Sequence, residues 1–224
     1  NNLGLIGQPA INYLKENLKD YSREDYSAAV QKRCEDVTSK FVEYYVNKTK
    51  VNDVALAGGL FANVKINQKV LETSNVNSVF IHPHMGDGGE GLGAALALYA
   101  ELSLNKGSGL KPFKLENVYF GPEYSDEEIE KAVLNENLKF QKIENIERYI
   151  AEKISERKIV GNFQGKMEYG PRALGNRSIL ADPTDTTIND WLNKRLHRTE
   201  FMPFAPSLLD RAAKDYYYNY EKGQ

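Results

Sequence analysis

Apolar positions spaced at three and four residues mark one long helix near the start of the chain. The pattern runs from Ser22 to about residue 47 and predicts an amphipathic helix. Ser22 and Asp25 form a capping-box pair, and acidic side chains suit the positive end of a helix dipole. The apolar stripe consists of Tyr26, Val30, Cys34, Val37, Phe41 and Tyr45. Because Cys34 lies on this stripe, we expect a buried structural thiol rather than a catalytic one.

Short apolar runs and glycine-containing loops then alternate with further helical patterns. A run over 53–57 and another over 76–82 have the length and composition of buried strands. Each is followed by glycines and then by a helical stretch. The predicted loops lie at 58–59 and 83–91, and the predicted helices over 61–72 and 93–104. This alternation of strand, loop and helix favours an α/β layered fold.

A cluster of Gly, Ser and Pro over 105–112 predicts a linker. It divides the chain into two α/β parts, 1–110 and 111–224. In the second part, Ser125 and Glu128 form another capping-box pair at a helix start. The remaining predictions are strands over 138–143 and 158–163, helices over 146–157 and 187–198, and a loop rich in Gly, Pro and Arg over 164–183.

Composition and charge narrow the class of protein. The 224 residues include 29 Lys and Arg against 31 Asp and Glu, so the net charge is −2 and no general basic field attracts nucleic acid or anionic lipid. No apolar run approaches the roughly 18 residues of a membrane span, and no secretory signal opens the chain. The single cysteine excludes an intrachain disulfide. We therefore expect a cytoplasmic protein that binds neither nucleic acid nor a membrane, and this composition is compatible with an oligomer.

Two glycine-containing loops carry candidate ligand-binding residues. Gly58 and Gly59 follow a predicted strand, so a phosphate can approach the backbone closely, and Asn63 can hydrogen-bond a nucleotide. The alternative for this segment is a tight structural turn. The second loop contains four potential metal ligands, His82, His84, Asp87 and Glu90. Asp87 is the strongest candidate among them, since a histidine in a polar turn often has a structural role.

The pattern that most strongly indicates ligand binding lies over 164–180, where cationic residues alternate with glycines. The cations are Lys166, Arg172 and Arg177, and the hydrogen-bonding side chains beside them are Asn176 and Ser178. Arginine presents a planar fork to phosphate oxygens and lysine a point charge, so this composition favours a polyphosphate ligand. The alternative is a solvated basic loop whose cations pair with Glu168 and Asp182.

A fourth pattern follows in the predicted helix over 187–198. Lys194 and Arg198 are four residues apart, so on a continuous helix they share a face. They add two further cations to the candidate site.

Five strings, in this order, closely resemble the O-carbamoyltransferases of nodulation-factor and antibiotic biosynthesis. They are GGLFANVKINQ, HPHMGDGGEGLGAALA, VYFGPEYSDEEI, FQGKMEYGPRALGNRSILADP and RTEFMPFAPSLL. The resemblance runs from about residue 20 to about residue 215. The GPRALGNRSIL string is highly specific, whereas the glycine pair alone is not.

The resemblance implies a fusion of two domains. The first, over 1–110, is similar to the C-terminal part of an actin-like ATPase-fold enzyme that adds threonylcarbamoyl to tRNA. The second, over 111–224, is similar to part of threonylcarbamoyl-adenylate synthase. The implied reaction joins ATP and carbamoyl phosphate into carbamoyl adenylate, with release of phosphate and pyrophosphate. The carbamoyl group then passes to a hydroxyl of a small acceptor, with ATP-bound Mg²⁺ and a divalent metal, iron or similar, as cofactors.

The resemblance also implies roles for individual residues. Gly58, Gly59 and Asn63 match the nucleotide loop of the actin-like domain, and Asp87 matches the aspartate of its metal-binding GD motif. The residues that match the pocket for the activated phosphate are Lys166, Arg172 and Arg177, continued by Lys194 and Arg198.

The resemblance covers only part of such an enzyme. The family's metal-binding His pair belongs to a segment N-terminal to the matched strings, and the chain starts at Asn1 without an initiator Met. We therefore expect a fragment of a longer carbamoyltransferase. Two other hypotheses stay open, a threonylcarbamoyl relative that modifies tRNA and a nucleotide-binding module without turnover.

Overall fold

The computed structural model describes residues 7–112, 114–198, 204–218 and 220. Contacts within the chain define two compact units, residues 7–82 and Pro83–Tyr218. The domain boundary predicted near residue 110 falls inside the second unit and stays a prediction.

The first unit is built from three helices, two strands and a short 3₁₀ turn. Its elements are α1 (Gln8–Asn17), α2 (Arg23–Thr49), β1 (Asp53–Leu56), the turn Gly59–Ala62, α3 (Val64–Leu71) and β2 (Ser78–Ile81). The capping box predicted at the start of α2 is confirmed, since Ser22 Oγ accepts from the Asp25 N–H at 3.1 Å. Helix α1 is absent from the sequence-based predictions.

Strands β1 and β2 lie side by side in parallel, with Asp53 opposite Ser78 and Leu56 opposite Ile81. Parallel neighbours need a crossover connection, and α3 supplies it. The N–H of His82 donates to the Leu56 carbonyl at 3.2 Å, so the pairing continues one residue beyond β2. This strand–helix–strand unit confirms an α/β fold.

The core of the first unit lies where the C-terminal half of α2 meets α3 and the sheet. Its members are Val42, Val46, Leu56, Val70 and Val76. Ile66 on α3 is 1% exposed and Val70 is 0% exposed. The apolar face of α3 therefore packs against the core of the first unit.

The expectation for Cys34 is only partly met, because its side chain is half-buried. Val30 and Phe41 on the same stripe of α2 are exposed, at 60% and 63%. The buried side chains of α2 are Val42 and Val46. Periodicity identifies an apolar stripe, but the part of the stripe that is covered depends on where α3 and the sheet contact the helix.

The second unit is built from five helices, two strands and two 3₁₀ turns among the described residues. Its elements are the turn Asp87–Gly89, α4 (Glu90–Asn105), α5 (Asp126–Asn135), α6 (Ile146–Ser155), β3 (Val160–Phe163), β4 (Arg177–Leu180), α7 (Ile188–Arg195), the turn Asp210–Ala212 and α8 (Ala213–Tyr216). The capping box at the start of α5 is confirmed, since the Glu128 N–H donates to Ser125 Oγ at 3.2 Å.

Strands β3 and β4 form an antiparallel pair with Val160 opposite Leu180 and Phe163 opposite Arg177. The strand predicted over 138–143 is wrong, since those residues form no strand. Strand β4 lies inside the segment predicted to be a loop. Its side chains are mixed in polarity, so it becomes a strand by pairing with β3 rather than by its own pattern. Among the described residues, no helix is both long and apolar enough to cross a bilayer.

Candidate functional site

The Gly-, Pro- and Arg-rich segment connects two paired strands. Residues 164–176, which we call the GPR loop, join β3 to β4. The Gln164 N–H donates to the Asn176 carbonyl at 3.0 Å, which closes the loop at its base. At its start, the Met167 N–H donates to the Pro122 carbonyl at 3.1 Å. The loop is therefore closed by a hydrogen bond between its own two ends and is also attached to the segment at Pro122.

The centre of the GPR loop is the carboxylate of Glu168, whose residue is 7% exposed. Glu168 Oε1 accepts the backbone N–H of Leu174 at 2.9 Å, of Asn176 at 2.7 Å and of Arg177 at 3.0 Å. These donors lie six to nine residues further along the chain. One buried carboxylate thus fixes the returning half of the loop.

The same contacts set the acidity of Glu168. Burial by itself raises the pKa of this carboxyl, but hydrogen bonds from the backbone N–H groups of Arg177, Leu174 and Asn176 outweigh burial. The net effect lowers the pKa of Glu168 from 4.5 to about 2. Hydrogen bonds to the charged form of a carboxylate lower its pKa in this way.

This lowered pKa gives a pH dependence of stability. A depressed folded-state pKa contributes stability above the unfolded pKa of 4.5, and that stability is lost as the pH falls towards 2. We expect the free-energy difference between wild type and Glu168→Gln to shrink by on the order of 3 kcal/mol between pH 6 and pH 2. Urea unfolding at several pH values measures it. A constant difference across this range would contradict the assignment.

Arg177 anchors the loop with its guanidinium. Nη1 donates to the carbonyl of Gln164 at 2.6 Å, and Nη2 donates to the carbonyls of Pro122 and Gly165, both at 3.1 Å. The guanidinium carbon also lies 3.7 Å from the ring centre of Phe163. The residue predicted to contact a phosphate thus joins its own strand to the start of the GPR loop and to the segment at Pro122, and a catalytic role for it stays a prediction.

Asn176 and Ser178 also contact the loop itself. Asn176 Nδ2 donates to the Lys166 carbonyl at 2.7 Å, and Ser178 Oγ accepts the Gly175 N–H at 2.8 Å. Their predicted contacts with a ligand stay predictions. Lys166 and Arg172 are exposed.

The loop over 83–89 packs against the GPR loop within the second unit. The rings of His84 and Tyr169 lie 5.4 Å apart, edge to face. Gly170 has φ +121°, and a β-carbon there would lie 2.6 Å from the Pro83 carbonyl oxygen. The loop with the candidate metal ligands and the GPR loop, which are far apart in the sequence, are therefore in contact. Asp87 is exposed at the start of a 3₁₀ turn.

The residues that the structure describes do not form a metal centre by themselves. Within the described ranges, no three His, Cys, Asp or Glu side chains converge on a position for an ion. A metal site usually needs several such ligands. Asp87 as a metal ligand stays a prediction.

The glycine pair of the first unit forms a turn after β1. Gly58 has φ +117°, a conformation that favours glycine. Asn63 caps α3, since its Oδ1 accepts the N–H groups of Lys65 at 3.1 Å and Ile66 at 3.3 Å. N–H groups at a helix start can attract an anion, and Asn63 occupies two of them here. A nucleotide contact by Gly58, Gly59 or Asn63 stays a prediction.

The shared face predicted for Lys194 and Arg198 is wrong. Helix α7 ends at Arg195, and His197 has φ +52°, so the chain turns before Arg198. The Arg198 guanidinium instead lies over the ring of Phe204, 5.3 Å from its centre. Both cations are exposed, and their ligand roles stay predictions.

Glu168 is the residue whose importance the sequence analysis missed. The sequence places it beside three cations, which suggested only an ion-pairing role. An acidic residue in the middle of a basic, glycine-rich loop is a signal that could have identified a carboxylate bound to backbone N–H groups.

Comparison with known proteins identifies the class. The chain matches the family model for the carbamoyltransferase N-terminus over residues 5–96 and the model for the carbamoyltransferase C-terminus over residues 151–224. The chain belongs to the carbamoyltransferase family, and the resemblance stated from its motifs is confirmed.

Several known proteins are similar to the chain, and nodulation proteins are among them. The chain is 38% identical to the uncharacterized protein MJ1058 of Methanocaldococcus jannaschii over 88% of its length and 33% of that protein. It is 33% identical to nodulation protein NolNO of Sinorhizobium fredii over 87% of its length and 28% of that protein. It is 31% identical to nodulation protein U of Rhizobium fredii over 73% of its own length and 26% of that protein. The chain thus spans about a quarter to a third of these relatives.

Proposed function

We propose that this chain is part of an ATP-dependent O-carbamoyltransferase and that the GPR loop binds the phosphate of carbamoyl phosphate. The observation that carries the proposal is the geometry of this loop in a member of the carbamoyltransferase family. Glu168 and Arg177 hold the loop closed from within. Lys166 and Arg172 are left exposed on a backbone of fixed shape.

Fixed cations suit a dianionic donor. An exposed Lys and Arg pay little desolvation before a phosphate arrives, and a closed loop loses little conformational entropy on binding. Arg172 offers a fork to two phosphate oxygens, and Lys166 adds a point charge. Positive charge at this position also offsets the repulsion between carbamoyl phosphate and ATP as they approach each other.

The proposed chemistry has two steps. Carbamoyl phosphate, ATP and one water give carbamoyl adenylate, phosphate and pyrophosphate. An acceptor hydroxyl then attacks the carbamoyl carbon, loses its proton and releases AMP. Cations around the carbonyl oxygen stabilise the charge that builds on it during transfer. The nodulation-protein relatives favour a small-molecule acceptor.

We expect calorimetry to detect binding of carbamoyl phosphate to the chain, and Lys166→Ala or Arg172→Ala to weaken it about 10-fold or more. A hydrogen bond to a charged group contributes about 1.5–3 kcal/mol, which corresponds to a loss of this size. Lys139→Ala is the matched control, since Lys139 is an exposed lysine of the same unit outside the loop.

Two results would contradict the proposal. One is the absence of binding heat with wild type at millimolar carbamoyl phosphate. The other is an equal effect of the loop variants and Lys139→Ala. A parallel assay follows pyrophosphate release from labelled ATP, which we expect to depend on carbamoyl phosphate.

A further inference from the structure

We propose that Glu168 is a positioning residue that holds the GPR loop in the conformation in which Lys166 and Arg172 present their charges to the anionic substrate. The identity of that substrate rests on the function proposed above. The conformational part of the inference rests on the contacts of Glu168 alone.

The first argument is the geometry around the carboxylate. Glu168 precedes the tip of the loop, and its N–H donors, Leu174, Asn176 and Arg177, follow the tip. The tip that carries Arg172 is therefore closed by a side chain rather than by a backbone ladder. Loss of the carboxylate would remove these hydrogen bonds from the returning half of the loop while leaving β3 and β4 paired.

The second argument is the neighbouring strand-like segment that supports the carboxylate. Tyr119 forms an isolated antiparallel bridge with Glu168, and the Tyr119 hydroxyl donates to the Leu174 carbonyl at 3.0 Å. The Tyr169 N–H donates to the Val118 carbonyl at 2.7 Å. The backbone at Glu168 is thereby fixed, so its carboxylate is a rigid acceptor for the N–H groups of the returning half of the loop.

The third argument is chemical. A carboxylate is acceptor-only, so Oε1 takes all three N–H groups and Oε2 also accepts the Arg177 N–H at 3.1 Å. A glutamine has one acceptor oxygen and would turn an NH₂ donor towards at least the Arg177 N–H. A carboxylate surrounded by loop amides also removes those amides as an anion site. The substrate anion is then left to the exposed side chains of Lys166 and Arg172, which is why their position matters.

Hydrogen exchange tests the conformational part without any ligand. In Glu168→Gln we expect the amides of Leu174, Asn176 and Arg177 to exchange at least about 10-fold faster than in wild type. Amides of α3 in the first unit serve as the internal reference and should keep their rates. Unchanged exchange at all three loop amides would overturn the inference. If the glutamine variant does not fold, Glu168→Asp keeps the charge on a shorter arm and should give a smaller acceleration at the same amides.

A double-mutant cycle tests the functional part. Glu168→Gln and Lys166→Ala should each weaken carbamoyl phosphate binding about 10-fold, and the double variant should be weakened by little more than either. Such coupling means that Glu168 acts through the loop cations. Independent losses that multiply to about 100-fold, at a temperature where both proteins are folded, would overturn the positioning role. Glu136→Gln, a change at an exposed glutamate of the same unit, is the control.

The two parts fail in different ways. If wild type does not bind carbamoyl phosphate, the proposed function fails, and the exchange rates still decide whether Glu168 holds the loop. If wild type binds but exchange and coupling show no effect of Glu168, the function stands and the positioning role is wrong.

Discussion

Gly170→Ala is expected to destabilise the second unit by about 3 kcal/mol or more. Gly170 has φ +121°, where a β-carbon is strained by about 1–2 kcal/mol. The added methyl would also lie 2.6 Å from the Pro83 carbonyl oxygen, and relieving such an overlap typically costs about 1–3 kcal/mol. Because the close atom is backbone, the loop over 83–89 must shift as a whole.

Gly175→Ala separates the two contributions. Gly175 lies near the C-terminal end of the GPR loop with φ +108°, but no atom lies within 4 Å of a β-carbon built there. We expect this variant to lower the free energy of unfolding only by the backbone strain of a β-carbon at positive φ, about 1–2 kcal/mol. Urea unfolding followed by circular dichroism measures both variants. Equal losses at the two positions would show that the contact with Pro83 contributes nothing.

Ile66→Ala is expected to destabilise the first unit by about 3 kcal/mol. Ile66 is 1% exposed and lies on the inner face of α3. Truncation of a buried isoleucine to alanine costs about 2–5 kcal/mol, because the transfer free energy is lost and a cavity remains. Alanine is also the better helix former, so the loss comes from packing rather than from helix propensity.

Val64→Ala is the matched control on the same helix. Val64 is 69% exposed, so its truncation should change the free energy of unfolding by less than about 0.5 kcal/mol. Thermal or urea unfolding compares the two variants under the same conditions. If Val64→Ala cost as much as Ile66→Ala, the inner face of α3 would be assigned wrongly.

Much of the local structure could be predicted, because its signals lie within a few residues. The helix starts after Ser22 and Ser125 each depend on a capping partner three residues away. Strands β1 and β2 were predicted from short apolar runs. The strand expected over 138–143 does not form, and β4 forms where a loop was expected, since strand formation depends on a pairing partner.

The candidate site shows the same division. The residue types of the GPR loop pointed to an anionic ligand, and the family assignment that they carried is confirmed. Their individual roles were not readable from the sequence. Among three cations of similar chemistry, Arg177 is half-buried and donates to carbonyl oxygens, and Lys166 and Arg172 are more exposed to solvent. That difference depends on contacts with Pro122 and Phe163, which no spacing rule predicts.

The sequence by itself determined the starts of α2 and α5, the α/β alternation and membership in the carbamoyltransferase family. These properties follow from spacings of a few residues and from ordered strings of letters. Only the tertiary structure decided which charged groups face the loop backbone and which face solvent. Arg177 reaches the carbonyl of Pro122, 55 residues earlier, and Glu168 reaches amides up to nine residues later. Such contacts form only after the chain folds back on itself, because a buried charge must find polar partners wherever the fold brings them.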